Sequence, residues 1–382
     1  MNFELSEELK ILRETTRKFV QKELVPLTHE IDETGRIPDK ALARMKELGY
    51  FGITVPEEYG GMGLSVMGHL VIQEELARGA HGCFNAMISG NNGIGALGIL
   101  FDGTEEQKKK YLPALARGEK VAAFALTEPG AGSDAAAIET TAVRDGDNFV
   151  INGIKHFITR GDIADVFTVL ALTDRNLRSK GGITAFIVEK GTPGFSLGCI
   201  HKSMGSDVVK QCELIFEDCV VPVSNVIGEV GQGFKTAMRV LDEGRLSYGA
   251  RSLGTAEYLL ELSINHSRQR VQFGKPIGKN QAIQWMLVDM ATEIHALRSM
   301  LYQTAWKKEQ GAKVTKECSM VKLFATEMVG RVADRALQIH GGSGYMSEFP
   351  IERIYRDVRV WRIVEGTSEI QRVIIARELL KD

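Results

Sequence analysis

Val121-Ala-Ala-Phe-Ala-Leu-Thr-Glu-Pro-Gly-Ala-Gly-Ser-Asp134 is the stretch on which the architecture turns. Here an apolar run of strand length passes directly into a turn built from glycines, a proline and polar side chains. The same texture recurs downstream. Phe167-Thr-Val-Leu-Ala-Leu172, Ile183-Thr-Ala-Phe-Ile-Val-Glu189 and Cys212-Glu-Leu-Ile-Phe-Glu217 are short apolar runs separated by turns such as Asp145-Gly146-Asp147 and Pro193-Gly194. A β-rich middle domain over 119–228 is expected. Upstream, residues 1–118 have helical texture, with Leu9, Leu12 and Phe19 at helix-compatible spacings. Thr104-x-x-Gln107 matches a capping box, opening a helix that Pro113 should kink or interrupt and Gly118 should end. After Gly231-Gln-Gly233 the helical period returns in Phe234, Ala237, Met238 and Leu241, then in Ile283, Met286, Leu287 and Met290. A helical bundle over 229–382 follows. Helices, then strands, then helices make an α+β multidomain chain, and exclude alternating βαβ units and a doubly wound nucleotide fold.

The 382 residues exceed the usual size of a single core, which agrees with several packed units. With 47 Lys and Arg against 49 Asp and Glu, the formal charge of −2 gives no overall field for nucleic acid or an anionic membrane, so any anionic ligand must be held locally. The 5 cysteines are odd in number and widely spaced, without a Cys-x-x-Cys pair, which fits a reducing cytoplasm. No apolar run reaches the roughly 20 residues of a membrane helix, and the N-terminus is acidic and amphipathic rather than signal-like. No His-x-x-x-His pair occurs, so no metal is expected.

Three segments could carry chemistry. In Phe124–Asp134, glycines allow close backbone approach while the Thr127 and Ser133 hydroxyls can bond a heterocycle or a phosphate; an ordinary tight turn has the same composition. Gln338-Ile-His-Gly-Gly-Ser-Gly344 could cradle a charged group, although spacing alone favours a helix C-cap. Val364-Glu-Gly-Thr-Ser-Glu-Ile-Gln371 sets Glu365 among apolar residues, before a Thr-Ser pair able to cap the last helix. An acid so enclosed is a stronger base than in water, suited to removing a carbon-bound proton; a solvated glutamate is the plainer alternative.

Together these segments resemble the acyl-CoA dehydrogenase family, over essentially the whole chain. One family signature is met by Ala125 to Asp134 and the second by Gln338 to Asp357. The resemblance implies a central β-barrel-like domain, a C-terminal four-helix bundle and FAD as cofactor. Phe124, Ala125, Leu126, Thr127, Gly132 and Ser133, with Phe157-Ile158-Thr159, would bind the flavin ring. Across a subunit boundary, Arg270, Phe273, Gln281 and the run Gln338, Ile339, His340, Gly341 and Gly342 would complete the dinucleotide site, which implies a homotetramer. Thr367 and Glu369 would also lie beside FAD, the latter where many relatives carry Gln. Asp242, Arg245, Ser133 and Gly366 would contact the acyl-CoA, and Glu365 would be the base; Gly244 occupies the alternative base position of one branch of the family. Electrons would pass to an electron-transfer flavoprotein.

Departures are local. Phe157 replaces a common Trp, and Asn85, Asn91 and Asn92 stand where the acyl pocket would be, though caps or structural hydrogen bonds explain asparagines equally. Glutaryl-CoA-specific relatives carry arginine at the position of Phe84, which disfavours dicarboxylyl substrates. An oxidase or desulfinase on the same scaffold, and a flavin-binding protein without turnover, are the alternatives.

Overall fold

A computed structural model describes residues 4–381. The N-terminal helices are α1 (Glu7–Phe19), α2 (Thr28–Thr34), α3 (Asp39–Glu47), α4 (Val66–Ala77), α5 (Cys83–Ile88), α6 (Leu97–Asp102) and α7 (Glu105–Ala116). The expected capping box is present at α7, where Thr104 Oγ1 accepts from Gln107 N at 3.2 Å and Gln107 Oε1 from Thr104 N at 3.1 Å. Pro113 does not break this helix, which continues to Ala116. Proline removes one N–H and so one intrahelical bond, which the buried Tyr111, Leu112, Leu115 and Ala116 around it offset. Gly118, at φ +66°, then turns the chain out.

Eight strands follow: β1 (Ala122–Ala125), β2 (Thr141–Asp145), β3 (Asn148–Thr159), β4 (Val166–Leu172), β5 (Ile183–Glu189), β6 (Phe195–His201), β7 (Gln211–Pro222) and β8 (Val226–Ile227). They form one sheet in the order β6-β7-β3-β2-β4-β5-β8, with β1 parallel to β4. Strands β4 and β5 are buried along almost their whole length, as unbroken apolar runs require, whereas β3 and β7 alternate. Ala123, Phe149, Phe186 and Phe216, from strands far apart in that order, share one core, so the sheet curls round an interior of its own. A second apolar layer joins its β4–β5 face to α6, α7 and the helix that follows.

That helix is α8 (Gly233–Gln269), leading through the small hairpin β9 (Val271–Gln272) and β10 (Lys275–Pro276) to α9 (Gln281–Glu309), α10 (Thr315–His340), α11 (Gly342–Tyr345), α12 (Pro350–Arg359) and α13 (Ser368–Leu379). Helix α10 runs at the centre of this bundle, in contact with α8, α9, α12 and α13. Among the described residues no helix is long and apolar enough to cross a membrane.

Candidate active site

Between α12 and α13 the chain makes a strained turn. Glu365 has φ +53° and Gly366 φ +92°, a conformation that costs a non-glycine residue of order 1 kcal/mol and persists only where neighbours impose it. Lys322 Nζ donates to Gly366 O at 2.7 Å, and Gln371 Nε2 donates to Gly366 O at 2.9 Å and Glu365 O at 3.2 Å. Thr367 caps α13 by accepting from Ile370 N at 3.3 Å, the capping role anticipated for the Thr-Ser pair.

The turn aims the Glu365 side chain at α8. Glu365 as a residue is only half-buried, yet its Oε2 is enclosed and has no hydrogen-bond partner. The carboxylate lies against Gly244, where a Cβ would fall 1.7 Å from Oε2. Burial pushes the carboxyl up to about 7, against opposing pulls from Arg251, Lys322 and Arg245 in that order. An acid so tuned is divided between proton acceptor and proton donor near neutrality, which suits general base chemistry. The backbone N–H of Glu365 makes no hydrogen bond within the described residues, leaving a free donor beside the carboxylate. Arg245 is buried and donates to Asp242 at 2.5 Å, and Asp242 also accepts from Thr315 at 2.9 Å.

At the end of the sheet, the predicted flavin residues divide by what they can offer. The Ala125 and Leu126 side chains are buried and Phe124 packs against the β4–β5 layer, so these contribute backbone rather than side chains to any ligand. The Leu126 and Thr127 carbonyls are already used, by Lys155 Nζ at 3.1 Å and His156 N at 2.8 Å. A buried Lys155–Glu128 ion pair of 2.7 Å closes the base of the loop, and Glu128 also accepts from Glu139 N and Thr140 N. Gly132 and Ser133 are left exposed and Thr127 half-exposed. Next to Lys155 on β3, the register shift between Lys155 and Ile158 throws Phe157 outward at φ +57°, 57% exposed and flanked by the His156 and His201 rings. Ile158 is buried and Thr159 half-buried. An uncovered aromatic ring beside free hydroxyl and amide donors fits a flat heterocycle with polar edges.

The other predicted cofactor residues lie elsewhere. The His266 and His340 rings, 4.3 Å apart, bring the C-terminal ends of α8 and α10 together. This places Arg270 and Phe273 at the same end of the bundle as Gln338, Ile339, His340, Gly341 and Gly342, with Gln281 at the start of α9. Ile339 and His340 are buried; Arg270, Gln281, Gln338, Gly341 and Gly342 are exposed. Gly341 ends α10 at φ +58°, and nothing lies within 4 Å of a Cβ on either glycine. Gly244 and Arg270 are 26 residues apart on and just past α8, about 39 Å at 1.5 Å per residue. One chain therefore does not bring these two groups together. Glu369, at the start of α13, is exposed.

Several residues beside Glu365 went unnoticed in the sequence. Lys322 and Gln371 hold the turn; Arg251, seven residues after Gly244, donates to Gln73 at 2.8 Å. Arg160, next to Thr159, is fully buried and donates to Met87 O at 2.7 Å. A signal existed for Arg251: it sits among Gly249, Ala250, Ser252 and Gly254, and small residues on a helix mark close packing. Of the three asparagines, Asn91 and Asn92 are structural. Asn91 bonds Leu115 O, Lys120 O and Ala122 N, and Asn92 bonds Tyr50 O, Ile88 O and Thr54 N. Asn85 reaches Gln73 O at 3.4 Å and leaves its Oδ1 buried without a partner.

Family models described as the N-terminal, middle and C-terminal domains of acyl-CoA dehydrogenase match residues 6–119, 123–219 and 231–380. The acryloyl-CoA reductase (NADH) of Anaerotignum propionicum is 44% identical, over 100% of this chain and 96% of its own. A chain in a solved structure of the electron transferring flavoprotein of Acidaminococcus fermentans is 43% identical, with TM-score 0.96 and all of both chains covered. An acyl-CoA dehydrogenase from Bacillus anthracis complexed with FAD is 39% identical, with TM-score 0.90 over 99% of this chain and 67% of its own.

Proposed function

Because this chain belongs to the acyl-CoA dehydrogenase family, we propose that it interconverts an acyl-CoA thioester and its trans-2-enoyl-CoA, with Glu365 taking the proton from C2. It is an oxidoreductase, and FAD is its cofactor. The observation that carries the role of Glu365 is its enclosed, unpartnered carboxylate, pushed up to about 7 and held on a strained turn. Bound FAD supplies the two-electron acceptor for the hydride leaving C3, so the C2–H and C3–H bonds break as the C2=C3 bond forms.

The chain's own residues supply the rest. The free Glu365 N–H can donate to the thioester oxygen as negative charge develops there. Thr127, Gly132, Ser133, Phe157 and Thr159 would hold the flavin ring. Asp242 would place the thioester end through Arg245, beside Gly366 and Ser133. Arg270, Phe273, Gln281 and Gln338 to Gly342 would serve the FAD of a second subunit, in a homotetramer. The separation along α8 supports that reading, as does Phe273, which is 98% exposed at φ +50°. An apolar ring held in a costly conformation with nothing over it is expected to be covered by a partner.

An electron-transfer flavoprotein is the proposed redox partner, in keeping with the Acidaminococcus similarity. The similarity to a reductase bears on direction, which the potential of the redox partner sets rather than Glu365. Anaerobic titration of the FAD-loaded protein with butyryl-CoA and with crotonyl-CoA after flavin reduction reads both directions. Glu365→Gln should retain FAD and lose at least about a thousandfold in turnover; dehydrogenation at the normal rate in that variant would remove Glu365 from the mechanism.

A further inference from the structure

Buried charges in this chain are almost all paired: Lys155 with Glu128, Arg298 with Glu74 and Glu257, Arg17 with Glu75, Arg353 with Asp32. Among the buried lysines and arginines of the described residues three are not: Lys322, whose ammonium bonds Gly366 O beside Glu365, and Arg160 and Arg251. Arg160 is 1% exposed and Arg251 7%, and neither has a carboxylate within salt-bridge distance among the described residues. Arg160 makes one side-chain hydrogen bond, to Met87 O, and its Nε is buried without a partner; its backbone stands at φ +65°, a further cost. Arg251 makes one, from Nε to Gln73 Oε1, and its guanidinium lies 5.1 Å from the Tyr248 ring centre. The two guanidiniums repel: after burial, Arg251 is the next cause holding Arg160 down, to about 9. An uncompensated buried cation costs several kcal/mol, and two facing each other cost more; Arg251 does attract the Glu365 carboxylate, but no carboxylate touches either guanidinium, which leaves the pair free to receive an anion from outside the fold.

Their position says which anion. Gly244, Tyr248 and Arg251 fall at i, i+4 and i+7 on α8, one face of the helix. Helical side chains lean toward the N-terminus, so Arg251 leans back along Tyr248 toward the Glu365 carboxylate at Gly244. Gly244 and Arg251 are about 10 Å apart along the axis. Arg160 arrives from the other side, directly after β3, and donates to Met87 O on α5; Gly90, just past that helix, leaves room for it, since a Cβ there would fall 1.9 Å from an Arg160 guanidinium nitrogen. Resting on the proposed dehydrogenase reading, we propose that the acyl group carries a second, free carboxylate at the end away from the thioester, received by Arg251 and Arg160. Because Arg251 leans back toward Glu365, the gap to be bridged is shorter than the axial rise from Gly244 to Arg251, which suits a short diacid rather than a long one. Phe84 does stand on α5 in place of an arginine, but these two guanidiniums enter the same region from β3 and α8. The reaction itself is unchanged: C2 loses its proton to Glu365, C3 its hydride to bound flavin, and the carboxylate takes no part.

The FAD-loaded protein is titrated anaerobically with succinyl-, glutaryl- and adipyl-CoA and with butyryl-, pentanoyl- and hexanoyl-CoA, and kcat/KM is measured for each. At least one dicarboxylyl thioester should surpass its neutral counterpart by at least about 30-fold, the fold-change expected from a buried guanidinium–carboxylate pair. In Arg251→Met and Arg160→Met that preference should fall by the same factor, while substrate-free thermal stability holds or rises, since removing an unpaired buried charge relieves the fold. Neutral thioesters oxidised as well as or better than every diacid would overturn the inference and leave the dehydrogenase reading standing. Equal losses on both classes in the arginine variants would also overturn it, assigning the arginines to Glu365. Failure with every thioester would sink the dehydrogenase reading, and this inference with it.

Discussion

Glu365 ties local backbone strain to chemistry. Its turn is held from below by Lys322 and Gln371, so the carboxylate stays in an enclosed space that it would otherwise leave for water. Because the ionised form is the base, kcat/KM should rise with pH through an acid limb near 7, and a rate already level from pH 5 would contradict an enclosed base. The same shift acts on stability. The folded state holds the Glu365 proton to a higher pH than the unfolded chain does, so stability is lost as pH rises from about 4.5 through about 7. Glu365→Gln should therefore melt higher than the parent at pH 8, by up to about 3 kcal/mol, and show little gain at pH 4. Substrate-free melting curves at the two pH values read this directly.

At the scale of elements, α8 is both scaffold and wall. Gly244 is glycine because the Glu365 carboxylate occupies the space its side chain would need. Gly244→Ala should displace that carboxylate, lowering kcat by about a hundredfold while FAD stays bound; small displacements of a reacting group carry losses of that order. Helix ends give a plainer test. Thr104→Ala removes half of the α7 capping box and should cost about 1 kcal/mol in urea unfolding, without a change in substrate preference. Helix α7 also shows why Pro113 was misleading in the sequence: the helix is capped at Thr104 and buries Tyr111, Leu112, Leu115 and Ala116 around the proline, and this tertiary packing outweighs the one lost N–H bond.

For the whole molecule, the proposed base and the proposed dinucleotide residues stand at widely separated points along α8. Glu365 lies against Gly244 in the first half of α8, while Arg270, just past its C-terminus, stands about 39 Å from Gly244, too far to close on the same dinucleotide. The exposed Val271, Phe273, Trp285 and Val288 surround that far end and need a cover. Light scattering should find about four times the 42.1 kDa chain mass, and Phe273→Asp should lower both the assembly state and the FAD content. A monomer that holds FAD stoichiometrically would separate Phe273 from the cofactor.

Sequence alone determined the α+β order of helices, strands and helices, the α7 cap, the Gly341 helix end and the family, because each depends on local periodicity, turn chemistry or contiguous motifs. It also singled out Glu365. What it left undecided was whether that glutamate was enclosed or solvated, since one segment cannot reveal what packs on it. Burial of Glu365 depends on Gly244, 121 residues earlier, and on Lys322 from α10. The unpaired state of Arg160 and Arg251 is likewise tertiary. A charge is unpaired only in relation to every segment folded around it, and α5, β3 and α8 meet there only once the three domains are packed.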